Sequence, residues 1–445
     1  MIYKLEKPDL SKIDSLKTLE TLFNNKEDIS IYLNKTFSPY IYWDEIKYKK
    51  IPNYISSEEF WFLVKFIRGS VFGTNRKDSI VKSEDGKYFS WIDLPYAEEF
   101  LHQMDLSAGG TLLGFDKDFT ENDKYQFISR GIMEEAIASS QLEGANTTRK
   151  VAKQFLQEGR KPKNKSEHMI LNGYLTMQAI EENYKNKKLD KDILFELHAM
   201  ITKNTILKDE VGRYRTDEED IVVANQEDII YYKPPNMKFV EEETERLIAF
   251  ANDDLGEVFI HPIIKAVMIH FWIGYLHPFI DGNGRLARLL FYWYLLRKNY
   301  WAFAYLPISL MIKKSPIQYA MAYVCSEQDD LDLTYFVDYN LRKIGLAMKN
   351  FEEYVRNQAK INREMNKQSK TKYDLNDRQI RLLQRYHKNK DESTTLKVHK
   401  NINKISKMTA IKDLKKLVEL GFLAYKKQGR NIYYYATDKV VEIFK

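Results

Sequence analysis

The sequence predicts a mainly α fold: a helical body that carries a single β-hairpin, joined to a smaller and basic C-terminal module of short helices and a second hairpin. Three observations lead there. Apolar residues recur at helical spacing through "QFISRGIMEEAIASSQLEG", "HMILNGYLTMQAI", "DILFELHAMI", "FVEEETERLIAFAND" and "HPIIKAVMIHFWIGYL". Residues 221–236, "IVVANQEDIIYYKPPN", interrupt that pattern with two β-like runs around a polar turn and a Pro-Pro stop, the signature of a hairpin set on a helical body. Charge is also unevenly divided. The net +6 of the chain conceals a tail, residues 371–445, with 18 Lys/Arg against 8 Asp/Glu, leaving 51 against 55 in the remainder.

A chain of 445 residues exceeds the size at which one core keeps growing, so several domains are expected. Residues 1–105 form an N-terminal extension with one helix-like run, "SEEFWFLVKFIRGSVF", before "DLSAGGTLLG" breaks the pattern. Residues 106–345 make the helical core. The polar stretch "NQAKINREMNKQSKTKYD" lacks apolar periodicity, which assigns 346–370 to a linker helix and 371–445 to the tail module. With Cys325 alone, no internal disulfide can form, and no CxxC or HExxH pattern offers zinc ligands. No apolar run near the start reads as a signal sequence. The longest uncharged apolar stretch, Ala266 to Ile280, has 15 residues and falls short of the ~20 that cross a bilayer. A cytoplasmic protein without membrane contact is expected, assembled as a homo-oligomer and in the simplest case a dimer.

Chemistry concentrates in "HPFIDGNGRLARLL", residues 277–290. The preceding helix is apolar all round, hence buried, and Pro278 stops it just after His277. "IDGNG" then supplies a tight turn, with the next helix starting near Gly284, so backbone N–H groups and the positive end of that helix converge on one point. That is an anion cradle. Arg285 and Arg288, three residues apart on the new helix, would add two cationic forks suited to phosphate oxygens. Asp281 would repel a bare phosphate but suits a Mg²⁺ that bridges phosphates, and His277 has the residue type of a general base near neutral pH. "GNGRLA" satisfies the dinucleotide-binding glycine pattern, yet it follows a helix rather than a strand, and no acid occurs from Phe291 to Ser326 to hold a ribose. No GxxxxGK[ST] is present, which excludes a P-loop.

"HPFIDGNGRLAR" resembles the Fic family signature, His-x-Phe-x-Asp/Glu-Gly-Asn-Gly-Arg-x-x-Arg, at every defined position. The resemblance implies a Fic-type helical core with a β-hairpin flap, and transfer of AMP from ATP to a Ser, Thr or Tyr hydroxyl of a target protein, which could be the chain itself. By position, His277 would be the base, Asp281 the Mg²⁺ ligand, Gly282, Asn283 and Gly284 the phosphate cradle, Arg285 and Arg288 the holders of the β and γ groups, and Phe279 a packing anchor. The hairpin at 221–236 would be the flap against which an extended target segment lies. A second stretch, "SSQLEGANTT", sets Glu143 at the end of an amphipathic helix stopped by Gly144, where the helix dipole disfavours a carboxylate and calls for a cationic partner. Ser139-x-x-x-Glu143-Gly144 is similar to the inhibitory motif of Fic proteins in which the inhibitory helix precedes the core. The resemblance implies that Glu143 pairs with Arg288 and restrains transfer.

The tail resembles a winged helix-turn-helix, with "DRQIRLLQRYHKN", "TLKVHKNI" and "SKMTAIKDLKKLVELGF" as helices and "LAYKKQGRNIYYYAT" as the wing. Ser406 or Thr409 would cap the third helix, Gly421 follows it, and Gly429 marks the wing's turn. Lys407, Lys412, Lys415 and Lys416 on that helix, with Lys426, Lys427 and Arg430 on the wing, suit phosphate contacts, so DNA is an expected partner through 401–430. The alternatives to an adenylyltransferase are a DNA-binding regulator whose core senses nucleotide, and an enzyme that removes AMP or uses another donor.

Overall fold

The computed structural model describes residues 2–69, 76–109, 121–224, 228–255, 258–388, 392–428 and 431–442. The N-terminal extension opens with α1 (Ser15–Asn24), α2 (Lys26–Asn34), α3 (Trp43–Ile46) and α4 (Ser57–Gly69). Helix α4 turns Phe60, Trp61, Leu63 and Val64 inward, and Arg68 follows them into the core. Burial of that guanidinium is compensated by Nη2 donating to the Thr36 carbonyl at 2.7 Å, Nη1 donating to the Tyr335 hydroxyl at 3.1 Å, and the face of Tyr40 3.6 Å away. A hairpin of β1 (Arg76–Lys82) and β2 (Tyr88–Ile92) follows, antiparallel, then α5 (Ala97–Met104). Phe89 of β2 meets Phe271 and Tyr275 at 5.1 and 5.3 Å between ring centroids. One continuous hydrophobic core therefore runs from Leu5 through these elements into the body.

The body begins with α6 (Glu121–Leu142), α7 (Arg149–Glu158), α8 (Lys165–Ala179) and α9 (Lys191–Thr202). Thr148, Asn164 and Asp190 cap the last three, each side chain accepting a first-turn N–H. The flap is β3 (Val223–Ala224) against β4 (Ile230–Tyr232), antiparallel, and the tip of the expected hairpin, 225–227, lies outside the described residues. Then come α10 (Met237–Ala251), α11 (Pro262–Leu276), α12 (Asn283–Arg297), α13 (Ile308–Ile312) and α14 (Pro316–Gln328). Helices α11 and α12 are buried on every side and pack on each other at the centre, which places their connecting turn on a rigid base. Helix α15 (Thr334–Tyr373) has 40 residues and runs without a break across both 345 and 370, so the linker is the outer part of one long helix.

The tail consists of α16 (Asp377–Lys388), β5 (Ser393–Thr395), α17 (Leu396–Asn403), α18 (Lys407–Glu419), the hairpin β6 (Leu423–Gln428) and β7 (Asn431–Ala436), and α19 (Lys439–Glu442). Its sheet has the order β5-β7-β6, and a core of its own includes Leu383, Tyr386, Leu414, Leu417 and Phe422. Ser406 caps α18 by accepting from Thr409 N–H at 3.1 Å, and Gly421 follows at φ 77. Asp413 knits three helices together: it is buried and takes hydrogen bonds from Arg378 Nε (2.7 Å), Asn376 Nδ2 (2.8 Å) and His399 Nε2 (3.3 Å). Helix α17 packs against α7 of the body. Gly429 and Arg430 lie outside the described residues.

Candidate functional site

The site is built where α11 ends. His277 caps that helix in the left-handed region (φ 48, ψ 56), its own N–H reaching back to the Ile273 carbonyl at 3.0 Å. A non-glycine residue takes this conformation only when its surroundings hold it there. Arg215 does so, donating from Nε to the His277 carbonyl at 2.9 Å and from Nη2 to the Pro235 carbonyl at 2.5 Å, while its own N–H bonds Pro278 O. The imidazole Nδ1 lies 3.2 Å from the Gly274 carbonyl. An Nδ1–H must donate there, which leaves Nε2 with its lone pair outward, the tautomer of a base. Burial holds the His277 pKa below its ordinary value; the Gly274 hydrogen bond and the carboxylates of Glu143 and Asp281 push the other way.

The turn is fixed from within. Asn283 accepts from Phe279 N–H at 3.0 Å and donates to Phe279 O at 2.7 Å, so its buried side chain is spent on the loop and its contribution to the cradle is the backbone N–H. Gly282 has φ 90, and a Cβ there would come within 2.8 Å of Thr202. Phe279 is fully buried and stacks on His198 with ring centroids 3.8 Å apart and planes 9° apart. His198 in turn holds Asp281: Gly212 N–H donates to its Nδ1 (3.2 Å), so Nε2–H donates to the Asp281 carbonyl (2.9 Å). Burial pushes the His198 pKa down to about 4, which keeps this tautomer neutral.

The two arginines do not form a pair of open forks. Arg285 is 2% exposed and commits Nη1 to the Ile201 carbonyl at 2.9 Å and Nη2 to Asp281 Oδ1 at 3.0 Å. An offset of three residues turns side chains 60° apart on a helix, and Asp281 is within reach of a residue four further on, so Arg285 braces the acid from below. Arg288 lies at the cradle, meeting Ser139 with Nε to Oγ at 2.9 Å and Nη2 to O at 3.1 Å, and Glu143 with Nη2 to Oε1 at 2.7 Å. The Glu143 carboxylate sits over the first turn of α12, so close that a Cβ on Gly284 would lie 2.3 Å from Oε1. Gly144, at φ 89, ends α6 just beyond it.

These groups fit a nucleoside triphosphate and its metal. First-turn amides of a helix lack partners within the helix, Gly284 keeps their approach open, and the Nη1 of Arg288 is buried without a hydrogen bond. Asp281 is the acid available to Mg²⁺; no cluster of three metal-ligating side chains occurs among the described residues. One carboxylate supplemented by phosphate oxygens is the donor set this ion uses with nucleotides.

Sequence patterns did not single out His198, Arg215 or Ile201. A lone histidine in "LFELHAMI" reads as a core residue, and its partner lies 83 positions away, so no local signal marks it.

A buried helix pair whose connecting turn offers an imidazole, a carboxylate and a helix-end anion cradle is a helical arrangement suited to phosphate groups. Residues 188–295, which contain the whole turn and both arginines, match the Fic/DOC family, and the chain carries a Fic domain. Among curated proteins it is similar to protein adenylyltransferase fic-1 of Caenorhabditis elegans, 27% identical over 145 residues, 33% of this chain and 26% of that protein. It is also similar to protein adenylyltransferase Fic of Nematostella vectensis, 31% identical over 119 residues, 26% of this chain and 25% of that one. The chain thus spans about a quarter of the length of the curated relatives it matches. Among solved structures, a Fic family protein from Desulfovibrio desulfuricans aligns over 77% of this chain and 96% of its own, at 18% identity and a TM-score of 0.47.

Proposed function

We propose that the protein transfers AMP from ATP to a hydroxyl of a target protein, and that Glu143 restrains it. The observation that carries the reading is the His277 tautomer: a lone pair at Nε2 beside a helix-end cradle supplies both the base and the phosphate site the reaction needs. Bound beside Asp281, Mg²⁺ would neutralise charge on the departing phosphates. The target oxygen attacks the α-phosphorus as its proton passes to His277 Nε2, and the bond to the β-phosphate oxygen breaks to release pyrophosphate. The first-turn amides of α12 hold the phosphates in line, and Arg288 takes developing charge once Glu143 leaves it. His198 and Arg285 keep Asp281 at a fixed height, through its carbonyl and its Oδ1. The flap supports an extended target: Tyr232 anchors it to the Tyr275 carbonyl at 2.8 Å, next to the end of α11. An incubation with Mg²⁺ and ATP labelled at the α-phosphate, read by intact mass, tests this. Label gained by Glu143→Gly and lost on adding His277→Ala supports the reading; no AMP adduct on the chain or on any lysate protein counts against it.

A second activity is supported by the tail. Lys407, Lys412 and Lys415 are exposed along α18, with Lys426 and Lys427 exposed on β6, a stripe that suits a DNA backbone. Lys416 does not belong to that stripe, because its ammonium is engaged by the carbonyl and carboxylate of Asp374. Duplex binding that weakens as salt rises, with a slope reduced by Lys412→Ala/Lys415→Ala, is the expected result; salt-independent or absent binding would leave the stripe a solvated face.

A further inference from the structure

On the side of α6 away from the cradle lies a second cavity, of ≈ 300 Å³, walled by α6, α13 and α15. Its construction is close. Gly131 of α6 presses on the next wall, where a Cβ would come within 2.6 Å of the Tyr305 backbone. Aromatic rings line it in pairs: Tyr305 stacks with Phe351 at 5.4 Å and 28° between planes, and Phe127 meets Tyr354 edge-on at 5.7 Å. Cations ring its mouth. Arg130 lies over Tyr354 at 4.0 Å, Lys314 faces from the end of α13, and Arg149 forks onto the buried carboxylate of Glu134. With Glu134 the one acid in the described lining, three cations meet one carboxylate, and the Arg149 pair cancels internally.

We propose that this cavity is a binding site for a small organic anion bearing a single planar ring, and that its occupant strengthens the hold of Glu143 on Arg288. The aromatic walls accept the ring by stacking, and Arg130 and Lys314 take the anion. The volume is at the lower end of ligand cavities, about 300–1,000 Å³, which favours one ring and one anionic group over a nucleoside triphosphate. Coupling follows from α6 itself. One face bears Arg130, Gly131 and Glu134 toward the cavity; the other bears Ser139 and Glu143 on Arg288. Between them Glu135 is fixed by Ser309 N–H at 2.9 Å and the Tyr292 hydroxyl at 2.8 Å, and Ser309 belongs to α13, the helix that also supplies Leu310 and Met311 to the cavity. The cavity exists in the arrangement that seats Glu143, so a ligand filling it favours that arrangement over any in which α6 withdraws. The effect on catalysis rests on the AMP-transfer reading; the binding and its coupling to Glu143 do not.

Phenyl phosphate is the probe, titrated calorimetrically into the full-length protein beside inorganic phosphate and phenol. One saturable site is expected, at least about tenfold tighter than either fragment, and lost in Arg130→Ala/Lys314→Ala but kept in the cradle variant Asp281→Ala. By reciprocity, Glu143→Gly should weaken that affinity about fivefold or more, a readout independent of any transferase activity. In the wild type, phenyl phosphate at ten times its Kd should slow AMP transfer by up to about 11-fold while leaving Glu143→Gly unaffected. No saturable heat, equal affinity for inorganic phosphate, or binding retained in the Arg130/Lys314 variant would overturn the site; tight binding with no response to Glu143→Gly would overturn its coupling.

Discussion

Arg288 and Glu143, 145 residues apart in sequence, meet at 2.7 Å over the first turn of α12. The guanidinium is 3% exposed and the carboxylate 27%, so the arginine is fixed and the glutamate is the partner able to leave. Burial alone would disfavour charge on Arg288, and the Glu143 carboxylate, together with Tyr319 and Glu135, more than offsets it. The same contact that settles Arg288 covers the glycine over which a phosphate would approach.

Replacing Glu143 by Gly should therefore raise AMP transfer. A coupling of about 1–3 kcal/mol, typical between a regulatory group and a site, corresponds to a gain of about 5- to 150-fold. Initial rates with α-labelled ATP check it, and equal rates in the two proteins would remove Glu143 from any restraining role.

His277→Ala in the Glu143→Gly background should lower the transfer rate by about 10²–10⁴, the range for loss of a positioned base. ATP affinity should change little, since in the proposed reaction the imidazole takes the hydroxyl proton while the first-turn amides of α12 hold the phosphates. Single-turnover rates measured beside nucleotide binding separate the two quantities.

The pH dependence should follow the same group. A base works when deprotonated, and burial places the His277 pKa below its usual value, so the acid limb of the activity should fall below about pH 6.5. Glu143 raises that pKa, so its removal should move the acid limb lower still. A rate profile from about pH 5 to 8 for both proteins shows the order of the two limbs.

His198 predicts a link between acidity and stability. Its folded-state pKa, about 4, lies below the unfolded value of about 6.5, so the folded state resists its protonation. The stabilisation is fully present above pH 6.5 and is lost as pH falls toward about 4, amounting to about 3 kcal/mol over the window. Urea midpoints at pH 7 and 5 should reveal the decline, and His198→Gln should flatten it.

In the tail, Asp413→Ala should destabilise the module by about 1–3 kcal/mol, because the buried His399 and the half-buried Arg378 would lose their shared acceptor. Although burial pushes the Asp413 pKa up, hydrogen bonds from His399, Arg378 and Asn376 hold it well below the carboxylate range, so acid should mimic the substitution. Proteolysis confined to 377–436 is the expected sign.

The turn from His277 to Arg288 was legible as a local arrangement because its parts lie within a dozen residues, where spacing alone decides which atoms converge. The body helices were legible for a similar reason: apolar periodicity is local. What sequence spacing misjudged was Arg285, because "three apart" gives a shared helix face but says nothing of a carbonyl on Ile201 waiting beneath it. His198, Arg215 and the buried Arg68 are held by partners far along the chain, and nothing in their neighbourhoods distinguishes them from ordinary core or surface residues. The N-terminal extension was opaque for the same cause: its Tyr40 and Tyr96 are held by Asp332 and Asp338, which only folding brings near.

The flap has a neighbour that bears on how the protein is handled. Tyr3 donates its N–H to the Ile230 carbonyl at 2.7 Å, and its ring meets Tyr231 edge-on at 5.6 Å, so the first residues lie alongside β4. A purification tag fused ahead of Ile2 would emerge beside β4, the strand against which the proposed target segment would lie, so transfer assays of such a fusion should run slower than those of the same protein tagged elsewhere.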